Sequence, residues 1–203
     1  MGLAAMVVER FGYNEINVNC GYPSARVGEG TGARLMKDPS LVVRIVTEMR
    51  LKVSIPVTVK CRIGVDDLDQ FEDLLSFIKV VSEEGGVNKF IIHARKAKLV
   101  GATIKENRTK MALNHPWIFR LKEMLPHLNF VINGGLDTIE KVKEIMSDSH
   151  PLRHHNGLEG CMVGYLAKKA PWECARIDRE IFGDTESETQ TREEIITEYA
   201  EYC

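Results

Sequence analysis

Five short apolar runs in this 203-residue sequence carry polar or glycine residues at or just past their carboxyl ends. They are EINVN (15–19) with Asn17 and Asn19, PVTVK (56–60) with Lys60 and then Arg62, KFIIH (89–93) with His93 and then Arg95, NFVIN (129–133) with Asn133, and GCMVG (160–164) with Gly164. Lysine, arginine, histidine and asparagine supply charge and hydrogen bonds, and the glycines of Asn133-Gly134-Gly135 and Gly164 let backbone amides come close to an anion. Brought to one edge, these residues would form a ligand site with a phosphate held on loop amides.

For them to meet, the runs must be strands of one parallel sheet. Their starts lie 31–41 residues apart, which is the length of a strand–helix repeat. The intervening stretches read as amphipathic helices: 39–53 and 71–86 carry the i, i+3/i+4 apolar stripe, the latter with a glycine stop, and 138–148 opens on Asp137-Thr138 as a cap with Glu140 in its first turn. The opening residues LAAMVVERFGYNE read as a helix feeding an internal strand. Two α/β architectures compete, an open doubly wound sheet and a TIM (β/α)8 barrel. No G-x-G-x-x-G follows the first run, and phosphate-type glycine turns follow the last two, so the barrel is favoured. Only about five of eight strand–helix units are legible.

Composition removes several function classes. With 27 basic and 29 acidic side chains the net charge is −2, so nucleic-acid binding must come from a local patch. No apolar run reaches the length of a membrane span, and the amino terminus lacks the basic region of a secretory signal. Cys20, Cys61, Cys161, Cys174 and Cys203 form no C-x-x-C pair, which argues against a disulfide framework or a zinc ribbon and fits a reducing compartment. His154-His155 has no ligand partners at metal spacing, so no metal site is expected.

In this order and spacing, EINVNCGYPSARV, PVTVKCRIG, FIIHARKA, KENR, FVINGG and MVGY resemble the tRNA-dihydrouridine synthases, in particular the bacterial A-type, 20/20a-type branch, from about Asn14 to Gly183. HARKA followed by KENR is the most discriminating part. The resemblance implies an FMN-binding barrel followed by a small helical domain, with NADPH as reductant and D-loop uridines of tRNA as substrate. It implies a partial barrel over 1–183 and the start of the helical domain over 184–203, the chain beginning after about three strands. Implied cofactor contacts are Lys60, a cation suited to the electron-rich pyrimidine end of reduced flavin, His93, the phosphate amides of Asn133, Gly134 and Gly135, and Gly164 with Tyr165. The implied setting is cytoplasmic, an organelle not being excluded, with no membrane and no protein partner.

Two departures weigh on catalysis. The family reads N-x-G-C-P with Cys as proton donor, whereas Asn19-Cys20-Gly21-Tyr22-Pro23 puts Tyr22 there, larger and, at a reference pKa of about 10 against about 8.5, the weaker acid. Tyr165 stands where the family has an arginine, which removes a charge-assisted phosphate contact. If the strand stays extended, Asn17 and Asn19 share one face and Cys20 points to the helices as core. The stretch 93–110 carries Arg95, Lys96, Lys98, Lys105, Arg108 and Lys110 against Glu106 alone, and is expected, with Asn19, to face tRNA. Residues 173–203 carry ten acids against three arginines and are no RNA grip; TREEIITEYAEYC reads as one helix. The rival reading is an inactive or truncated remnant binding flavin or RNA weakly at most. A third, another FMN barrel oxidoreductase acting on a small molecule, leaves HARKA and KENR unexplained.

Overall fold

The computed structural model describes residues 1–23, 30–147, 157–186 and 190–203; His154-His155 lies outside them. Strands β1 (Ile16–Cys20), β2 (Val57–Arg62), β3 (Lys89–His93), β4 (Asn129–Asn133) and β5 (Gly160–Met162) form one parallel sheet in sequential order. A doubly wound sheet reverses its order at a switch point, and this one does not, so the sheet is a segment of (β/α)8 barrel wall. The expected fold class is therefore observed.

The connections are α1 (Gly2–Arg10), α2 (Pro39–Arg50), α3 (Phe71–Glu83), α4 (Ile104–Thr109), α5 (Pro116–Met124) and α6 (Ile139–Met146), followed after β5 by α7 (Gly164–Lys169), α8 (Ile177–Ile181) and α9 (Arg192–Tyr202). Their starts are coded locally. The Asp38 carboxylate accepts from Leu41 N ahead of α2, Thr138 Oγ1 accepts from Lys141 N at α6, and Thr103 with Glu106 makes a reciprocal cap at α4. The stop after α3 is Gly86, at φ +67.

The elements depart from the sequence reading at three points. The helix expected over 39–53 ends at Arg50, ahead of the turn leading to Pro56. The strand expected over 160–164 ends at Met162, whose carbonyl is taken by Asn133 Nδ2, and Gly164 instead opens α7. The loop 93–110 contains α4, and the unforeseen α5 follows it, starting at Pro116 and burying Ile118, Phe119 and Leu121.

The two faces of the sheet differ. Toward the helices, Val18, Cys20, Val59, Cys61, Phe90, Ile92, Phe130 and Ile132 are buried against Val46 and Met49 of α2, Leu74 and Ile78 of α3 and Ile118 and Leu121 of α5. The other face would line a barrel interior. Register pairs Asn17 with Thr58, Asn19 with Lys60 and Arg62 with His93, so alternation sets these polar residues on that face together. Beyond the sheet, α9 buries no residue, and the guanidinium of its Arg192 lies 4.9 Å from the Trp172 ring. Among the described residues no helix is long and apolar enough to cross a membrane.

Candidate active site at the carboxyl edge of the sheet

All five strands end at one cavity of about 620 Å³. Its walls take Asn19 and Tyr22 from the end of β1, Lys60 and Arg62 from β2, His93 and Arg95 from β3, Asn133, Gly134 and Gly135 from β4, and Gly164 and Tyr165 beyond β5, with Arg108 of α4 and Lys168 of α7 at the margin. The parallel register does this, because equivalent carboxyl ends stand side by side. Asn17, one pair further back, is not part of the cavity; its side-chain amide donates to Thr58 Oγ1 at 2.8 Å.

The turn bearing Tyr22 is held at three points. Gly21 N donates to Asn19 Oδ1 at 3.0 Å, Arg62 Nε to Gly21 O at 3.1 Å, and Ala33 N to Tyr22 O at 2.9 Å. Gly32, at φ +58, makes the last contact possible, since a Cβ there would stand 2.6 Å from the Tyr22 carbonyl oxygen. Tyr22 itself stays 42% exposed at the cavity. Cys20 is fully buried on the helix side, where burial and then neighbouring Cys61 push its thiol far above the usual range, so it is no proton donor to this site.

Positive charge gathers here without its counterpart. Arg62 is 4% exposed, and among the described residues no carboxylate pairs with it or with Lys60. Burial, then Arg108 and Arg95, lower the Arg62 pKa to about 10, and burial, then Arg62, lowers that of Lys60. His93 falls to about 3 through burial, then through Arg62, Lys60, Arg95 and His115, so its ring is neutral at physiological pH. His93 Nδ1 and Arg95 Nε are buried with no hydrogen-bond partner among the described residues. Buried polar nitrogens and cations left in this state call for an anionic, hydrogen-bonding occupant.

The glycine turn matches that demand. Gly134 and Gly135 take φ +98 and +75, which leaves successive amides free of side chains; a Cβ on Gly134 would stand 3.1 Å from His93 Nε2, and one on Gly135 2.6 Å from Leu113 Cδ2. Gly134 O is fixed by His115 Nε2 at 2.8 Å. Asn133 has its side chain engaged across to β5, and a Cβ on Gly164 would meet nothing within 4 Å. Tyr165 is 53% exposed beside the turn.

The basic stretch divides. Arg95 and Arg108 line the cavity, and Arg95 also donates to Met111 O. Lys98 and Lys105 are exposed on the outer surface of the loop, whereas Lys96 is turned away, 2.7 Å from Asp69, and Lys110 pairs with Glu106 at 2.9 Å.

The family model described as "Dihydrouridine synthase (Dus)" matches residues 1–202. The chain belongs to the dihydrouridine synthase family. Similar curated proteins are the tRNA-dihydrouridine(20/20a) synthases of Vibrio vulnificus, 44% identical over 200 residues, and of Salmonella typhi, 47% over 186. The corresponding protein of Escherichia coli K12 is 46% identical over 185 residues. The alignments cover 98%, 91% and 91% of this chain but 58%, 53% and 51% of those proteins, so the chain spans little more than half their length. The match runs further at both ends than the motifs alone, taking in α1 and α9.

Sequence reasoning noticed Arg62 as a strand-end cation but gave it no place in the site, quoted Asn107 within KENR without giving it a role, and passed over His115. For Arg62 the signal was present: in VKCR, positions 60 and 62 share a face. Asn107 stood inside KENR, but nothing in the motif told its role, and His115 carried no signal, because the backbone groups they bond are brought close by the folded loop.

Proposed function

We propose that this chain acts in tRNA dihydrouridine formation, reducing D-loop uridines with FMN as cofactor and NADPH as reductant. The observation that supports this most is the cavity's surplus of buried cations and unpartnered polar nitrogens beside a two-glycine amide turn. The residues fit FMN: Gly134 and Gly135 amides, with Gly164 and Tyr165 beside them, would hold its phosphate, and Lys60 and His93 its ring. Once bound, the flavin supplies the hydride that uracil accepts at carbon 6.

The chain's own task is to bind, orient and protonate. Neutral His93 offers hydrogen bonds without adding charge, and Asn19 holds the turn that carries the residue facing carbon 5. Tyr22 occupies the proton donor's place, and a positioned acid is worth about 10²–10⁴-fold. Lys98, Lys105 and Arg108 would meet tRNA phosphates, with Arg95 nearer the base; Lys96 would reach RNA only by leaving Asp69. The division into a barrel segment over 1–183 and a helical domain beginning at 184, and a cytoplasmic setting, belong to the same reading. Single-turnover oxidation of reduced FMN by unmodified tRNA, with dihydrouridine quantified afterwards, tests it. Tyr22→Cys is expected to raise the rate by at least about tenfold. Rates equal in both proteins, or abolished by Cys20→Ala, would show that the proton comes from elsewhere. Tyr22 also favours a second reading, a remnant that binds flavin or RNA but does not turn over, and dihydrouridine absent from both proteins would support it.

A further inference from the structure

Arg62 is a buried guanidinium whose neighbours in the cavity are other cations, an arrangement that costs free energy and that an apolar side chain of similar volume would avoid. What it does in return is visible in its bonds. Nε donates to Gly21 O at 3.1 Å, in the turn after β1, and Nη1 donates to Asn107 O at 2.7 Å, in the last turn of α4. A carbonyl in the last turn of a helix has no partner within the helix, and here Arg62 supplies one.

Both ends of this bridge are themselves braced. On one side Gly21 N is held by Asn19 and Tyr22 O by Ala33 N. On the other, Asn107 is fully buried, donates from Nδ2 to Lys98 O and Thr103 O at 2.9 and 3.1 Å, and accepts from Lys98 N at 2.7 Å, which closes the basic loop on itself. A continuous run of hydrogen bonds therefore joins Tyr22 to the backbone that presents Lys98 and Arg108. The fork of the guanidinium is what spans the two carbonyls, and a lysine's single ammonium does not reproduce it.

We propose that Arg62 is a positioning residue that couples the basic loop to the turn bearing Tyr22, so that a ligand ordering the loop also orders that turn. The brace stands on the geometry alone; its consequence for RNA rests on the proposed function. Hydrogen exchange on the full chain tests both. In Arg62→Met, amides of residues 21–22 and 33 and of 107–111 should exchange together at least about tenfold faster, while the β2–β3 ladder keeps its protection. Arg62→Lys, the milder change, should loosen at least one of the two segments. Adding unmodified tRNA to the wild type should slow exchange in both the 98–110 loop and the 21–22 turn, and in Arg62→Lys in the loop only. Unchanged exchange in both segments of both variants, a response confined to one segment in Arg62→Met, or loosening spread equally over the ladder in both variants would overturn the brace. tRNA that protects the turn equally in Arg62→Lys would overturn the coupling. tRNA that slows exchange nowhere would count against the proposed function and against the coupling, while the apo comparison still decides the brace.

Discussion

The inner face of the sheet is polar at both ends, and the two ends solve that polarity differently. At the amino end Lys89 lies 2.9 Å from Glu15 and 3.3 Å from Glu159, Thr58 donates to Glu15 at 2.9 Å, and Asn17 donates to Thr58. Among the described residues every charge there has a partner. At the carboxyl end Lys60, Arg62, Arg95 and Arg108 converge with His93, and among the described residues the one acid lining the cavity, Asp137, is paired with Lys141 at 2.5 Å. Among the described residues the same face is thus self-neutralised at one end and cationic at the other; polarity alone distinguishes neither, and unpaired charge marks the end proposed to receive a ligand.

That contrast can be broken in order of expected effect. Gly134→Ala, forcing a side chain into φ +98 against His93, should cost about 1–3 kcal/mol in urea unfolding. Gly160→Ala, at the amino end of β5, where a Cβ meets nothing within 4 Å, should be close to neutral. Next, Lys89→Met strands Glu15 and Glu159 and should lose about 1–2 kcal/mol, the pair being partly exposed. Lys60→Met removes a partly buried cation that has no partner among the described residues, so stability should hold or rise.

The third test uses pH. His93 has a folded pKa of about 3, below the roughly 6.5 of an unfolded histidine. Between those values the unfolded chain takes up a proton that the folded one refuses, so stability falls as pH drops from 6.5 toward 3 and is unaffected by His93 above that window. The slope attributable to it is at most about 1.4 kcal/mol per pH unit, and His93→Gln should remove it. An unchanged slope in that variant would place the titration elsewhere. The smallest effect is on tRNA affinity across a salt series. Lys98→Ala and Lys105→Ala should each lower the slope by about one unit. Lys96→Ala, already paired with Asp69, should leave it alone; slopes in Lys98→Ala and Lys105→Ala equal to that of the wild type would reduce the loop to a solvated face.

Much of this was legible in the sequence. Strand-end residues fall on one edge because parallel strands at βα spacing leave no other arrangement, and period-two alternation put Cys20 with the core and Asn19 toward the cavity. What was not legible depended on backbone partners. Arg62 was visible as a strand-end cation but its partners were not, since it and Asn107 do their work on carbonyls, which any residue carries, and Asn17 looked like a strand-end ligand group until Thr58 appeared beside it. Local charge counting likewise overstated the basic stretch, since Asp69, distant in sequence, neutralises Lys96.

The central claim is that the carboxyl edge is built for a phosphate-bearing flavin, and comparing FMN with riboflavin by equilibrium dialysis tests it most directly. A charge-assisted phosphate contact should make FMN bind at least about tenfold more tightly than riboflavin. Gly134→Val should erase that preference, while Lys60→Ala weakens both ligands alike. Equal affinity for FMN and riboflavin, or a preference that survives Gly134→Val, would contradict the account.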